Sequence, residues 1–124
     1  MKIIQTEHLT KYYGKARGII DMNLSVEVGD IFGFIGPNGA GKSTAIRTLL
    51  GLISPTSGNA RIFDKDIIHG CIDILSRIGY MPSEAMFYHG MKVDEILHLS
   101  ASLRQKNCRT EIRRLCERFE LNTK

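Results

Sequence analysis

The sequence predicts an α/β fold in which an antiparallel β subdomain precedes a core built on a parallel sheet. Three observations point there. Residues 22–28 alternate apolar and polar side chains with a period of two, the run Ile31–Ile35 is apolar without alternation, and strand-like and helix-like patterns take turns from that run onward. With 124 residues and no repeat or linker, a single domain spanning 1–124 is expected.

The elements follow in order. Ile3, Ile4 and Leu9 mark an opening strand, closed by a turn around Gly14 and Gly18. Met22, Leu24, Val26 and Val28, set against Asn23, Ser25 and Glu27, give a half-buried strand, and Gly29-Asp30 turns the chain. Ile31-Phe32-Gly33-Phe34-Ile35 then reads as a strand covered on both faces, as parallel sheets require. A glycine-rich stretch, Gly36–Gly41, leads into a helix whose Ile46, Leu49, Leu50 and Ile53 fall on one stripe. Gly51 and Ser54-Pro55-Thr56-Ser57-Gly58 end it, with Ser57-Gly58 read as turn residues, and Ala60–Phe63 reads as a short strand followed by Asp64 in a turn. Ile67–Ser76 is expected to be helical and Ile78–Met81 a strand stopped by Pro82. Val93, Ile96, Leu97 and Leu103 predict a helix with Asp94 and Glu95 at its positive end. Ile112, Leu115, Cys116 and Phe119 predict a last one.

Composition narrows the function. At 43% hydrophobic and 24% charged residues the chain is neither collagen-like nor disordered. No apolar stretch approaches the ~18–20 residues of a membrane span, and Met1–Thr10 has Lys2, Glu7 and His8 where a secretory leader has an apolar core, so a soluble intracellular domain is expected. Cys71, Cys108 and Cys116 lack zinc-site spacing and the histidines at 8, 69, 89 and 98 are scattered, so idle thiols and no metal cluster are expected. The net charge of +4 resides in residues 104–124, because residues 1–103 hold ten basic and ten acidic side chains. Those arginines share their stretch with a helical apolar stripe and no interleaved aromatics. A solvated helix face is therefore favoured over a nucleic-acid patch.

The chemistry lies in Gly36-Pro37-Asn38-Gly39-Ala40-Gly41-Lys42-Ser43, followed by Thr44, which fits the spacing G-x-x-x-x-G-K-[ST] of a phosphate-binding P-loop. Glycines let the backbone wrap an anion and turn its N–H groups inward. The helix start adds amides and a positive dipole end. Lys42 brings an ammonium to the terminal phosphates, where it stabilises charge, and Ser43 offers an oxygen to Mg²⁺. A P-loop NTPase-like core is expected.

The stretch GPNGAGKST, continued by LLGLISPTSGNARIF, resembles the nucleotide-binding domain of ATP-binding-cassette (ABC) transporters, and the resemblance extends from Ile3 to Leu121. Leu9-Thr10-Lys11-Tyr12-Tyr13-Gly14 resembles the family's A-loop, whose aromatic ring stacks on adenine. From the residues alone Tyr13 is either a turn-packing ring beside Gly14 or a base platform; the resemblance implies the platform, with Tyr12 as the second candidate. Arg77–Pro82 resembles the strand leading into the Q-loop, and the style of Ile78–Gly90 is most similar to bacterial drug- or peptide-exporter ATPases. Ser83 stands where the family has the Q-loop glutamine. It is too short for a direct Mg²⁺ contact, which leaves Glu84 to act through a water.

The resemblance implies ATP and Mg²⁺ as cofactors, with Tyr13 and residues 36–44 (Gly36, Pro37, Asn38, Gly39, Ala40, Gly41, Lys42, Ser43, Thr44) binding the nucleotide. It also implies transmembrane permease subunits and a second nucleotide-binding subunit as partners, a place at the cytoplasmic face of the membrane, and no nucleic acid. The printed sequence has no Leu-Ser-Gly-Gly-Gln-like signature and no apolar run ending in Asp-Glu, so it is incomplete relative to a full ABC ATPase domain and is expected to bind Mg-ATP but hydrolyse it poorly alone. A small P-loop kinase would not account for the Lys11–Gly14 and Ile78–Pro82 matches; a nucleic-acid module would rest on the basic tail alone.

Overall fold

The computed structural model describes residues 1–124 except 38, 40, 83–86, 88 and 124. It holds two compact units, residues 1–79 and 80–124.

The first unit is built on a four-stranded antiparallel sheet in the order β2-β1-β3-β4, with β1 spanning Lys2–Tyr13, β2 Ala16–Glu27, β3 Ser57–Ile62 and β4 Lys65–Asp66. β1 and β2 are joined by Gly14-Lys15, with Gly14 at φ 56, the first central position that a two-residue II′ hairpin gives to glycine. Met22, Leu24 and Val26 are more buried than Asn23, Ser25 and Glu27, so the period-two pattern of β2 is realised. β3 and β4 are joined by Phe63-Asp64, both at positive φ as a type I′ turn requires. Neither is a glycine. The Arg77 guanidinium carbon lies 3.8 Å from the centre of the Phe63 ring and the Phe63 N–H donates to Ile3 O at 2.9 Å, which hold the turn in place.

Bulges bend the long hairpin. His8 and Asp21 both adopt left-handed φ, near 50°, and their side chains meet at 2.5 Å (Nδ1 to Oδ1). The buried Thr10 hydroxyl donates to His8 O at 3.2 Å and accepts the Asp21 N–H at 3.0 Å, so one side chain serves both bulges. The His8 carbonyl is thereby pressed against β3 at Gly58, where a Cβ would stand 2.2 Å from it and φ is 84.

Helix α1, Lys42–Leu49, packs on the sheet through Ala45 and Leu49, which join Leu9, Ile19, Ala60, Ile62, Ile67 and Ile74 in one apolar cluster. It stops in a Schellman motif: Gly51, at φ 72, donates to Thr48 O, and Leu52 to Arg47 O. This early stop corrects the expected stripe. Ile53 lies past the helix, Ile46 is exposed, and the buried face is Ala45, Thr48 and Leu49. The helix expected over 67–76 shortens to α2, Cys71–Leu75. Ser57 and Gly58 belong to β3 rather than to a turn, because the Thr56 N–H already bonds Thr10 O and the ladder starts there. Gly18 is likewise not a turn residue but part of β2.

The larger correction concerns the parallel sheet. Among the described residues strands pair only antiparallel, and neither 31–35 nor 78–81 is a strand. A strand exists only beside a second strand, and among the described residues no β ladder includes these segments. Ile31 and Ile35 are fully exposed, and Phe32 and Phe34 pack edge-to-face on each other at 5.5 Å.

In the second unit, α3 is Val93–Leu103 and α4 is Arg109–Arg118. The Glu95 carboxylate accepts the Lys92 N–H at 2.9 Å across the start of α3. Ile112 and Cys116 are buried on α4 as expected, but Leu115 and Phe119 are exposed, and no residue of α3 is buried. The pair Arg114–Glu111, at 2.8 Å, occupies one of the tail arginines.

Two outcomes follow. Gly58→Ala lowers the urea-unfolding stability by more than about 2 kcal/mol, since it adds both left-handed strain and a clash with main chain. The second concerns Asp66, whose carboxyl the N–H groups of His69 and Ile68 hold below its ordinary 3.8. A lowered folded-state value stabilises above the unfolded pKa and is lost as pH falls through the folded one. Asp66→Asn therefore flattens the loss of stability measured below about pH 4.

Candidate phosphate-binding site

The loop between residues 36 and 41 ends on Gly41, which caps α1 at φ 93; Gly39 also has positive φ, 85. These two glycines differ in their surroundings. Around Gly39 a Cβ would meet nothing within 4 Å, whereas at Gly41 it would stand 2.4 Å from Gly18 O and 2.9 Å from Ile19 Cγ2. Gly39 supplies conformation and Gly41 supplies closeness to β2. The first helical bond runs from the Ala45 N–H to Gly41 O at 2.9 Å, so the amides of Lys42, Ser43 and Thr44 lie outside the helix's own ladder. The first turn carries no acidic side chain to compete for them.

Lys42, half-buried at the first helical position, donates from Nζ to the Gly36 carbonyl and so spans the loop from end to end. Ser43 and Pro37 are exposed. Thr44 is half-buried; its carbonyl accepts the Thr48 hydroxyl at 2.7 Å, and its methyl faces β2 at Gly18. Tyr13 is 44% exposed at the end of β1, with the Lys11 ammonium 5.5 Å from its ring centre. Its ring edge, Cε2, and the Thr44 methyl both lie within 3.3 Å of the point where a Gly18 Cβ would be, which brings Tyr13 to the start of α1. Tyr12 is fixed through its backbone, whose N–H donates to Thr56 Oγ1 at 3.0 Å. Asn38, Ala40, Ser83 and Glu84 lie outside the described residues.

The donor set suits a polyphosphate: left-handed glycines, a free helix start, an ammonium and a hydroxyl converge on one end of α1. For Mg²⁺ the chain offers the Ser43 hydroxyl, and no group of three or more His, Cys, Asp or Glu side chains that could hold a metal is present among the described residues. An ion here would be held chiefly by phosphate oxygens and water. A cavity of about 1010 Å³ between α3 and α4, reached by Asp94, His98, Arg113 and Cys116, is lined by none of residues 36–44. The sequence alone places Gly18 in a turn and gives it no role in the site; its signal is a glycine four residues before the period-two pattern that starts at Met22.

Residues 19–124 match the family described as ABC transporter. The chain belongs to that family. It is 45% identical over 101 residues to the Bacitracin transport ATP-binding protein BcrA of Bacillus licheniformis, covering 82% of this chain and 33% of that protein. It is 33% identical to the probable multidrug ABC transporter ATP-binding protein YbhF of Escherichia coli, over 98% of this chain and 22% of that one. A putative ABC transporter ATP-binding protein from Pyrococcus furiosus superimposes with a TM-score of 0.83 at 26% identity, covering all of this chain and 60% of its own length. The chain thus spans about a third or less of the curated relatives named here. These relationships bear out the expected fold class, part of an ABC ATPase fold, although no parallel strand pairing is formed among the described residues. No helix among the described residues is long and apolar enough to cross a membrane.

The contrast between the two glycines is measurable by urea unfolding: Gly41→Ala costs more than about 2 kcal/mol, while Gly39→Ala, strained but unobstructed, costs about 1 kcal/mol.

Proposed function

We propose that this chain is the amino-terminal part of a single ABC-type nucleotide-binding domain, and that it binds the triphosphate of Mg-ATP at Gly36–Thr44 with Tyr13 as the adenine platform. The observation that carries the reading is the meeting of Lys42, the left-handed Gly41 and the start of α1 in a family member whose Tyr13 ring leans toward the same helix end. Bound Mg²⁺ would offset phosphate charge. Lys42 would exchange the Gly36 carbonyl for phosphate oxygens, the loop amides would orient the chain of phosphates, and the Ser43 hydroxyl would face the ion. Asn38 and Ala40 belong to the same loop motif. Ser83, with Glu84 beside it, is the Q-loop counterpart.

Fast hydrolysis also needs an oriented water and a second acid, and the sequence from 1 to 124 supplies neither motif. The chain therefore holds nucleotide and turns it over slowly. The likeness to a bacitracin transport protein and a probable multidrug transporter favours a drug or peptide as cargo. The partners fitting this role are transmembrane permease subunits and a second nucleotide-binding subunit, at the cytoplasmic face of the membrane.

Equilibrium binding of a fluorescent ATP analogue with Mg²⁺ tests the reading. Lys42→Ala abolishes binding at concentrations that saturate the unaltered chain, and Tyr13→Ala weakens it roughly 5- to 150-fold, the range of stacking energies for a base on an aromatic ring. Turnover at or above about 1 s⁻¹ by the chain alone would overturn the claim of slow hydrolysis.

A further inference from the structure

We infer that Gly18 is a positioning residue for the base: its bare Cα lets the Tyr13 ring and the first turn of α1 meet over one point of β2, which fixes the spacing between base platform and phosphate loop. The inference rests on the nucleotide reading above and adds a residue that neither the loop motif nor the A-loop match contains.

Gly18 and Ile19 are buried while Ala16, Arg17 and Ile20 on either side are exposed. Its φ lies outside the left-handed region, so its backbone conformation is open to any residue and does not call for glycine. Space does. A Cβ would stand 2.5 Å from the Lys11 carbonyl oxygen, 3.1 Å from the Thr44 methyl and 3.3 Å from Tyr13 Cε2. On its other flank the Gly18 carbonyl abuts Gly41, where the phosphate loop enters α1. One residue thus touches the base platform and the phosphate cradle together. Lys11 completes the set, since its carbonyl crowds Gly18 and its ammonium stands over the Tyr13 ring.

An added methyl at Gly18 must part β1 from β2 at Lys11 or push the Tyr13 edge and the Thr44 methyl away. Close-packed neighbours transmit such shifts rather than absorb them. Loop amides and Lys42 keep their own contacts, so a ligand with phosphates and no base is affected less than one that has both.

The test titrates the 124-residue chain with Mg-ATP and with magnesium tripolyphosphate, which lacks the base. Gly18→Ala is expected to weaken Mg-ATP by about tenfold or more and tripolyphosphate by less than about threefold. Gly18→Ala combined with Tyr13→Ala should bind Mg-ATP no more weakly than Tyr13→Ala alone, because both act through one ring. Equal losses for the two ligands, or additive losses in the double variant, overturn the inference. Should Gly18→Ala fail to fold, the unaltered chain decides by amide NMR: the Gly18 signal shifts further with Mg-ATP than with tripolyphosphate, and a Gly18 signal that moves equally with both, or ignores Mg-ATP while those of Gly39 and Gly41 respond, overturns the proposal. If Gly39 and Gly41 also ignore both ligands, the nucleotide reading itself is what fails.

Discussion

The end of the phosphate loop rests on the sheet through main chain rather than side chains. Where Gly41 would carry a Cβ, the Gly18 carbonyl of β2 already stands, and every other feature of the site is arranged around that approach. A backbone-to-backbone contact leaves no rotamer to adjust, so the position of the loop is inherited from the register of β2. That register is set by the bulges at His8 and Asp21 and by the cluster of Leu9, Ile19, Ala45 and Leu49 that clamps α1 to the hairpin. The antiparallel sheet is the bench on which the glycine loop is mounted, and the apolar core holds α1 against that bench.

The segment from Ile31 to Ile35 shows the opposite condition. Its side chains have the pattern of a strand covered on both faces, yet it has no paired neighbour among the described residues and its isoleucines face solvent. Unpaired backbone and exposed apolar side chains together make a surface that seeks partners. Beside it, Phe34 and Ile35 border a cavity of about 230 Å³ against Ile19 and Met22 of β2 and Ala45 of α1. Apolar side chains that line a gap instead of filling it lose the dispersion contacts that packing would give.

Much of this was legible in the residues. The loop motif, the bounds of α3 and the alternation from Met22 to Val26 depend on local chemistry, and local chemistry is what a sequence displays. What escaped depends on partners. The fate of Ile31–Ile35 was misjudged because a pattern records a preference for burial and says nothing about whether a neighbour is there. Half of the expected stripe of α1 holds, since Leu49 and Leu50 are buried; Ile46 and Ile53 fit it on paper, but the helix stops before Gly51 and rests on the smaller Ala45. The turn expected at Asp64 is found, but its extension to Phe63 at positive φ was not legible, because the contact on that ring comes from Arg77, fourteen residues away in sequence. The site was affected likewise: Gly18 resembles any turn glycine until the strand opposite and the helix above are seen to press on it.

One further consequence comes from Lys42, whose ammonium is engaged by the Gly36 carbonyl within the loop itself. That bond ties residue 42 back to residue 36 within the chain. An arriving polyphosphate must then trade bonds with the loop rather than simply add to them. The heat evolved on association should accordingly be smaller than a tally of new contacts suggests, with displaced solvent and counterions carrying more of the driving force than the lysine itself.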